Sequence, residues 1–210
     1  RRQRQMCIRD SLLAVSASQA QGNAPKEGKE YLVLGKPAPT DAPKGQVEVV
    51  EFFWYSCPHC NAFEPRLEAW VKQLPKDVSF RRAPVSFRAD FEPQQRLYFV
   101  LEALNLVDTL HAKVFYAIHV ERKNLTTKDA IATWIATQGV EKAKFLETYD
   151  SFSVASKARR ASQLQDAYEV AGVPSIGVGG RFYTDGQQAG SMERVLQTTD
   201  FLVAELRKGR

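Results

Sequence analysis

Two cysteines stand three positions apart in the run Cys57-Pro58-His59-Cys60, and a thiol pair at this spacing admits three kinds of chemistry. It can cycle between dithiol and disulfide, supply half of a tetrahedral zinc site, or lie inert in a core. The Pro-His insert is poor core material. Zinc needs four ligands, and beyond the pair the chain offers His59, His111, His119 and Cys7. There is no second C-x-x-C, and His111 to His119 exceeds the ~3 to 5 residue spacing usual for zinc-binding histidines. Redox exchange is the favoured reading. A non-catalytic thiol module holding zinc or another soft metal is the alternative; neither a metal nor any other cofactor is expected. His111 and His119 read as surface or interhelical residues.

The elements around the pair decide what it can do. Val47 to Tyr55 is dense in β-branched and aromatic residues, the composition of a central strand buried on both faces. The period then changes. Leu67, Trp70, Val71 and Leu74 recur at helical spacing, which predicts a helix from about Pro58 to Leu74, kinked at Pro65 and stopped by Pro75. Pro58 suits the first helical position, where a missing N–H is no loss. Cys57 becomes the N-cap, its sulfur able to accept hydrogen bonds from the His59 and Cys60 amides at the positive end of the helix dipole. A protonated His59 favours the thiolate too. Cys57 is therefore expected to be an exposed nucleophile of low pKa, and Cys60, one turn on, a more buried thiol that attacks any mixed disulfide formed at Cys57. Because stabilising the thiolate stabilises the reduced form, the disulfide form is an oxidant.

Two acids lie near the pair. Glu51 falls inside the aromatic strand, where it reads as a buried carboxylate relaying a proton to or from Cys60, with a water-reaching edge position as the alternative. Glu64, one turn past Cys60, could tune the local field, but an ordinary exposed helical glutamate is the favoured reading.

Farther along, Val78 to Val85 completes a β-α-β unit whose right-handed crossover makes its strands parallel. Residues 91–171 read as successive helices. One has a capping box at Thr126-Thr127-Lys128-Asp129 and ends at Gly139; the last runs from about Ser153 to Ala171 and ends at Gly172. Strand signals return at Ser175 to Val178, with a Gly179-Gly180 turn and Arg181 to Thr184, before a final helix over Ser191 to Lys208. The expected fold is α/β, one mixed sheet with an inserted α-helical subdomain. Residues 46–86 and 172–207 form the sheet domain, 87–171 the insertion and 21–45 a lead-in, with Tyr31 to Leu34 as a possible short strand. Gly172-Val173-Pro174 is locally a helix stop. Beside a C-x-x-C it is also a candidate cis X-Pro bond that brings the Val173 backbone next to Cys57 to receive an extended substrate segment.

The chain has 210 residues, 44% hydrophobic and 25% charged, which is enough apolar material for a full core and excludes disordered and disulfide-stapled classes. Residues 1–20 hold four arginines against Asp10, a local +3 of the total +5. The remaining +2 is too small to argue for nucleic acid. This segment reads as a non-native leader or a signal-peptide remnant, its small residues around Ala17 and Ala20 resembling a cleaved secretory signal.

Taken together, the Glu-Phe-Phe strand leading from Glu51 to Cys57-Pro58-His59-Cys60, the Val173-Pro174 pair and the helical insertion between them resemble the DsbA family of periplasmic thiol-disulfide oxidoreductases. The resemblance implies a thioredoxin-like fold and a disulfide oxidase of the periplasm, with the depressed cysteine pKa and strongly oxidising potential associated with that family. It implies Cys57 as attacking and Cys60 as resolving cysteine, His59 as thiolate stabiliser and Glu51 as the buried acid. Pro174 is matched to a cis-proline, and Pro58, Val173 and Pro174 are the expected substrate-binding positions. The implied partners are reduced, newly exported polypeptides and a DsbB-like membrane reoxidant, for a monomer that binds no nucleic acid. A reductase or isomerase would use the same chemistry, though an isomerase usually needs a dimerisation module, and none is evident.

Overall fold

The computed structural model describes residues 24–209; the leader reading and Cys7 fall outside them. Five strands make one mixed sheet in the order β1-β5-β4-β2-β3, with β1 at Leu32–Val33, β2 at Val47–Phe53, β3 at Val78–Pro84, β4 at Ser175–Val178 and β5 at Phe182–Asp185. Every residue of β2 is buried, including Glu48 and Glu51, which are paired with Arg81 and Arg82 of β3. It pairs in parallel with β3, Glu51 opposite Arg82, and antiparallel with β4 on its other side. The crossover between β2 and β3 is helix α1, Pro58–Val71, which continues through Pro65 and ends three residues before the expected Leu74.

Between β3 and β4 lie a short 3-10 helix at Ala89–Phe91 and five α-helices: α2 at Glu92–Ala103, α3 at Val107–His119, α4 at Lys128–Thr137, α5 at Lys142–Tyr149 and α6 at Phe152–Ala167. Two local expectations are corrected here. The α4 cap is Thr127, whose hydroxyl accepts the Ala130 N–H at 3.2 Å, rather than a box begun at Thr126. Helix α6 stops at Ala167, well before Gly172, because Glu169 takes the left-handed conformation at φ 53°. The Val170 N–H then closes the end on the Gln165 carbonyl at 3.1 Å. The positive-φ position is filled by a residue with a side chain, so no glycine signalled it.

After β4 comes the expected tight hairpin. Gly179 and Gly180 take φ 59° and 67°, the mirror-image turn that matches strand twist. In the middle of β4, Gly177 lies flat under the Tyr168 ring, where a Cβ would collide with the ring atoms. Tyr168 in turn packs edge-on against Phe52 at 5.2 Å. The chain ends with α7, Gly186–Ala189, and α8, Met192–Lys208, whose Val195, Leu202 and Val203 pack on β2 residues Val47 and Val49. At the C-terminal end of β2, Phe53 joins Tyr98, Val114 and Phe115 of the helical block in a second cluster. The strand therefore supports both layers, and three residues beyond its end lead to Cys57.

Candidate active site

Cys57 caps α1 in extended conformation at φ −79° and ψ 117°, and Pro58 is the first helical residue. The Cys57 sulfur accepts the Cys60 N–H at 3.4 Å, and its own thiol donates to the Val173 carbonyl, also at 3.4 Å. Both cysteines are free thiols here. The side-chain hydrogen bond from Cys60 does most to lower the Cys57 pKa, to about 6; burial opposes this, while the amides of Cys60 and His59 and the His59 charge assist. Burial pushes the Cys60 thiol far up, and the neighbouring Cys57 adds to the rise. Two chemically identical groups are thus driven apart by one turn of helix.

Cys57 departs from expectation in one respect. It is 7% exposed against 0% for Cys60, so the sulfur presents a narrow window rather than an open face. The Val173-Pro174 peptide is cis and its loop covers the sulfur from the far side. His59 is exposed and shares a groove of about 480 Å³ with Gly172, Val173, Pro174, Gln187 and Met192.

Beneath the thiols lies a buried charge cluster, and both acids singled out by sequence belong to it. Glu51 is fully buried on a central strand, away from any edge, and its carboxylate accepts the Arg82 Nε–H at 3.0 Å. Its other oxygen has no partner among the described residues. Burial outweighs the Arg82 attraction and, with Glu64 nearby, pushes the Glu51 pKa up to about 8. Glu64 contradicts the reading of an exposed helical residue, being 5% exposed and 2.8 Å from Arg82 Nη2. Burial works against its charge, yet the contacts with His111 and Arg82 hold its carboxyl below the ordinary value. Glu68 completes the cluster at 2.6 Å from the same Arg82 nitrogen. Ionised Glu51 in turn raises the Cys60 thiol.

Arg82 was not singled out by the sequence reading. The available signal was its place in β3, opposite Glu51 in register. His111 is interhelical as expected, but it is buried rather than at the surface. Its Nδ1 lies 2.8 Å from the Tyr55 hydroxyl and its Nε2 3.3 Å from Glu64; burial lowers its pKa. Among the described residues no three His, Cys, Asp or Glu side chains gather to hold a metal ion.

A thioredoxin-like sheet with an interior strand that leads through a short turn into a helix-capping Cys-x-x-Cys defines the thiol:disulfide oxidoreductases. Within that class, the family model described as DSBA-like thioredoxin domain matches residues 48–197, and the chain belongs to that family. It is 42% identical over 194 residues to the thiol:disulfide interchange protein DsbA of Burkholderia cepacia, covering 92% of each chain. With the protein of the same name from Bordetella pertussis it shares 45% identity over 197 residues, covering 93% of this chain and 91% of the relative. The crystal structure of Pseudomonas aeruginosa DsbA superposes with a TM-score of 0.82 at 41% identity, over 87% of this chain and 94% of that one. The oxidoreductase DsbA from Xylella fastidiosa gives 0.81 at 31% identity, over 88% and 98%. The protein is accordingly a disulfide oxidoreductase that donates a disulfide to reduced proteins by thiol-disulfide exchange.

Proposed function

We propose that Cys57 is the sulfur at which substrates are oxidised, and that the enzyme acts in the periplasm on reduced, newly exported polypeptides. The observation that carries the assignment is the contrast between the two thiols: a helix-capping sulfur with a pKa of about 6 beside a buried one pushed far up. The better leaving group sits at the narrow opening, and the stronger base is held inside.

In the oxidised enzyme a substrate thiolate attacks Cys57 Sγ. The Cys57–Cys60 bond breaks, and Cys60 leaves with the electron pair and takes a proton. A second substrate thiolate then attacks the substrate sulfur of the mixed disulfide. Cys57 departs as its stabilised thiolate, and the substrate has lost two electrons to the enzyme dithiol. When the mixed disulfide is attacked by Cys60 instead, the substrate is released reduced and the encounter is unproductive.

Glu51 is assigned the proton transfer to Cys60, since a carboxyl with a pKa of about 8 carries a proton at neutral pH. Glu64 tunes the field there through Arg82 and His111. His59 stabilises the Cys57 thiolate from the exposed side. Pro58, Val173 and Pro174 receive an extended substrate segment, the Val173 carbonyl being within hydrogen-bonding distance of the reacting sulfur. By resemblance, a DsbB-like membrane protein returns the dithiol to disulfide and the enzyme works as a monomer. Among the described residues no helix is long and apolar enough to cross a membrane. Residues 87–171 are taken as the inserted helical subdomain.

Substituting each cysteine tests the roles. Cys57→Ser is expected to abolish oxidation of a reduced protein substrate, and Cys60→Ser to accumulate mixed disulfides visible on a non-reducing gel. Full activity in either single variant overturns the assignment.

A further inference from the structure

Three residues, Trp54, Tyr55 and Ser56, carry the chain from β2 to Cys57, and residues from the inserted stretch hold each of them. Trp54 stacks on Phe91 with ring centroids 3.9 Å apart. Ser56 donates its N–H to Gln94 Oε1 at 3.1 Å and accepts from Gln94 Nε2 at 2.7 Å. Tyr55 is held at both ends. Its hydroxyl lies 2.8 Å from His111 Nδ1, and its main-chain carbonyl accepts from His119 Nε2 at 2.8 Å.

The two histidines sit eight residues apart on α3 with Phe115 midway between them. That ring meets His111 edge-on at 5.2 Å and His119 stacked at 6.1 Å, and it touches the Tyr55 ring at 5.1 Å. Steps of four residues keep the three side chains neighbours on one helix face. The turn they hold closes with the Cys57 N–H donated to the Trp54 carbonyl at 3.0 Å. Any slack in Tyr55 therefore reaches the backbone of Cys57, and through it the distance from Sγ to the Cys60 amide.

We propose that His111 and His119 are positioning residues for the exchange reaction. By fixing the two ends of Tyr55 from α3, they keep the Cys57 sulfur seated over the first turn of α1, where its thiolate is stabilised. The Cys57 sulfur is held by the Cys60 amide and the Val173 carbonyl, so the two rings position it through Tyr55, and His111 also meets Glu64 through Nε2 at 3.3 Å. The inference rests on the reading of Cys57 as the reactive sulfur, and it gives the helical block a part in the chemistry besides cover.

The test uses the full chain and two readouts: the Cys57 pKa followed by thiolate absorbance, and the equilibrium with glutathione. His119→Phe keeps the stacking on Phe115 and removes the Nε2 donor. It is expected to raise the pKa by about half a unit, a roughly threefold change in the thiolate equilibrium, and to move the glutathione equilibrium toward oxidised enzyme by a similar factor. His119→Gln, which restores an amide donor at similar reach, should return both readings to those of the parent. Tyr55→Phe deletes only the hydroxyl facing His111 and should shift both in the same direction as His119→Phe; it alone decides the matter if His119→Phe does not fold. Folded His119→Phe and Tyr55→Phe variants with the parent pKa and equilibrium, whatever their stability, overturn the proposal. A parent Cys57 that titrates like free cysteine removes the functional reading itself, which separates the two failures.

Discussion

At the scale of single residues, the cysteine pair couples chemistry to stability in a way that pH exposes. Cys57 titrates near 6 in the folded dithiol and near its ordinary 9.0 once unfolded. Between those values the unfolded chain binds more protons than the folded one, so the Cys57 contribution to stability grows as pH rises through this window and is lost as pH falls through 6. Cys60 works the other way above about pH 9, where the unfolded thiol ionises and the buried one does not. Glu51, raised to about 8 from 4.5, offsets part of the gain, since the folded state holds its proton up to pH 8. The oxidised protein has no thiol to titrate but retains Glu51. The stability of the reduced protein minus that of the oxidised one, measured by denaturant titration of both forms, should therefore increase from pH 6 to pH 8.5. A flat difference would place the Cys57 pKa at its free value. Alkylation of Cys57 should likewise follow a titration with its midpoint near 6.

At the scale of elements, the strand and helix that create the cap were legible because each is locally consistent: β2 in its density of β-branched and aromatic residues, α1 in its proline start and four-residue repeat. The hairpin turn was legible for the same reason, as only two glycines suit its dihedrals. The charge cluster was not. Glu51, Glu64 and Arg82 come from β2, α1 and β3, and their meeting depends on the register that sets Glu51 opposite Arg82, which no local pattern encodes. Glu64 looked like any solvated helical acid because the helical block that covers it lies far off in sequence. One guanidinium serves three carboxylates, so Arg82→Met should leave buried acids uncompensated and destabilise the protein by about 3–5 kcal/mol in denaturant melts. Arg82→Lys, which keeps the charge but not the fork of donors, should lose less. The α4 cap belongs to the same scale; Thr127→Ala is expected to destabilise by about 1 kcal/mol and to leave exchange rates unchanged.

At the scale of the molecule, the aromatic cluster around Phe53 joins the sheet to the helical block. Its ring lies 5.1 Å from Tyr55, 5.4 Å from Tyr98 and 5.2 Å from His111. Periodicity in the sequence distinguishes the strand-bearing parts from the helical stretch between them, but it could not show that one strand serves as a wall for both cores. That sharing predicts cooperative melting: near-ultraviolet and far-ultraviolet signals should report a single coincident transition. Phe53→Ala should lower the stability of the whole molecule by about 3–5 kcal/mol rather than release the helical block alone.

The narrow window over Cys57 also bears on which clients the proposed site can serve. A sulfur in a residue 7% exposed, with a backbone carbonyl 3.4 Å away, suits a thin, flexible stretch of chain of the kind the proposed function lays along the Val173 loop. A protein that has already folded keeps its thiols behind its own side chains and has no such stretch to offer. On the proposed function, such a recess works as a clock as much as a gate: a reduced unfolded substrate is expected to be oxidised faster than its folded form, which competing the two against the enzyme would measure.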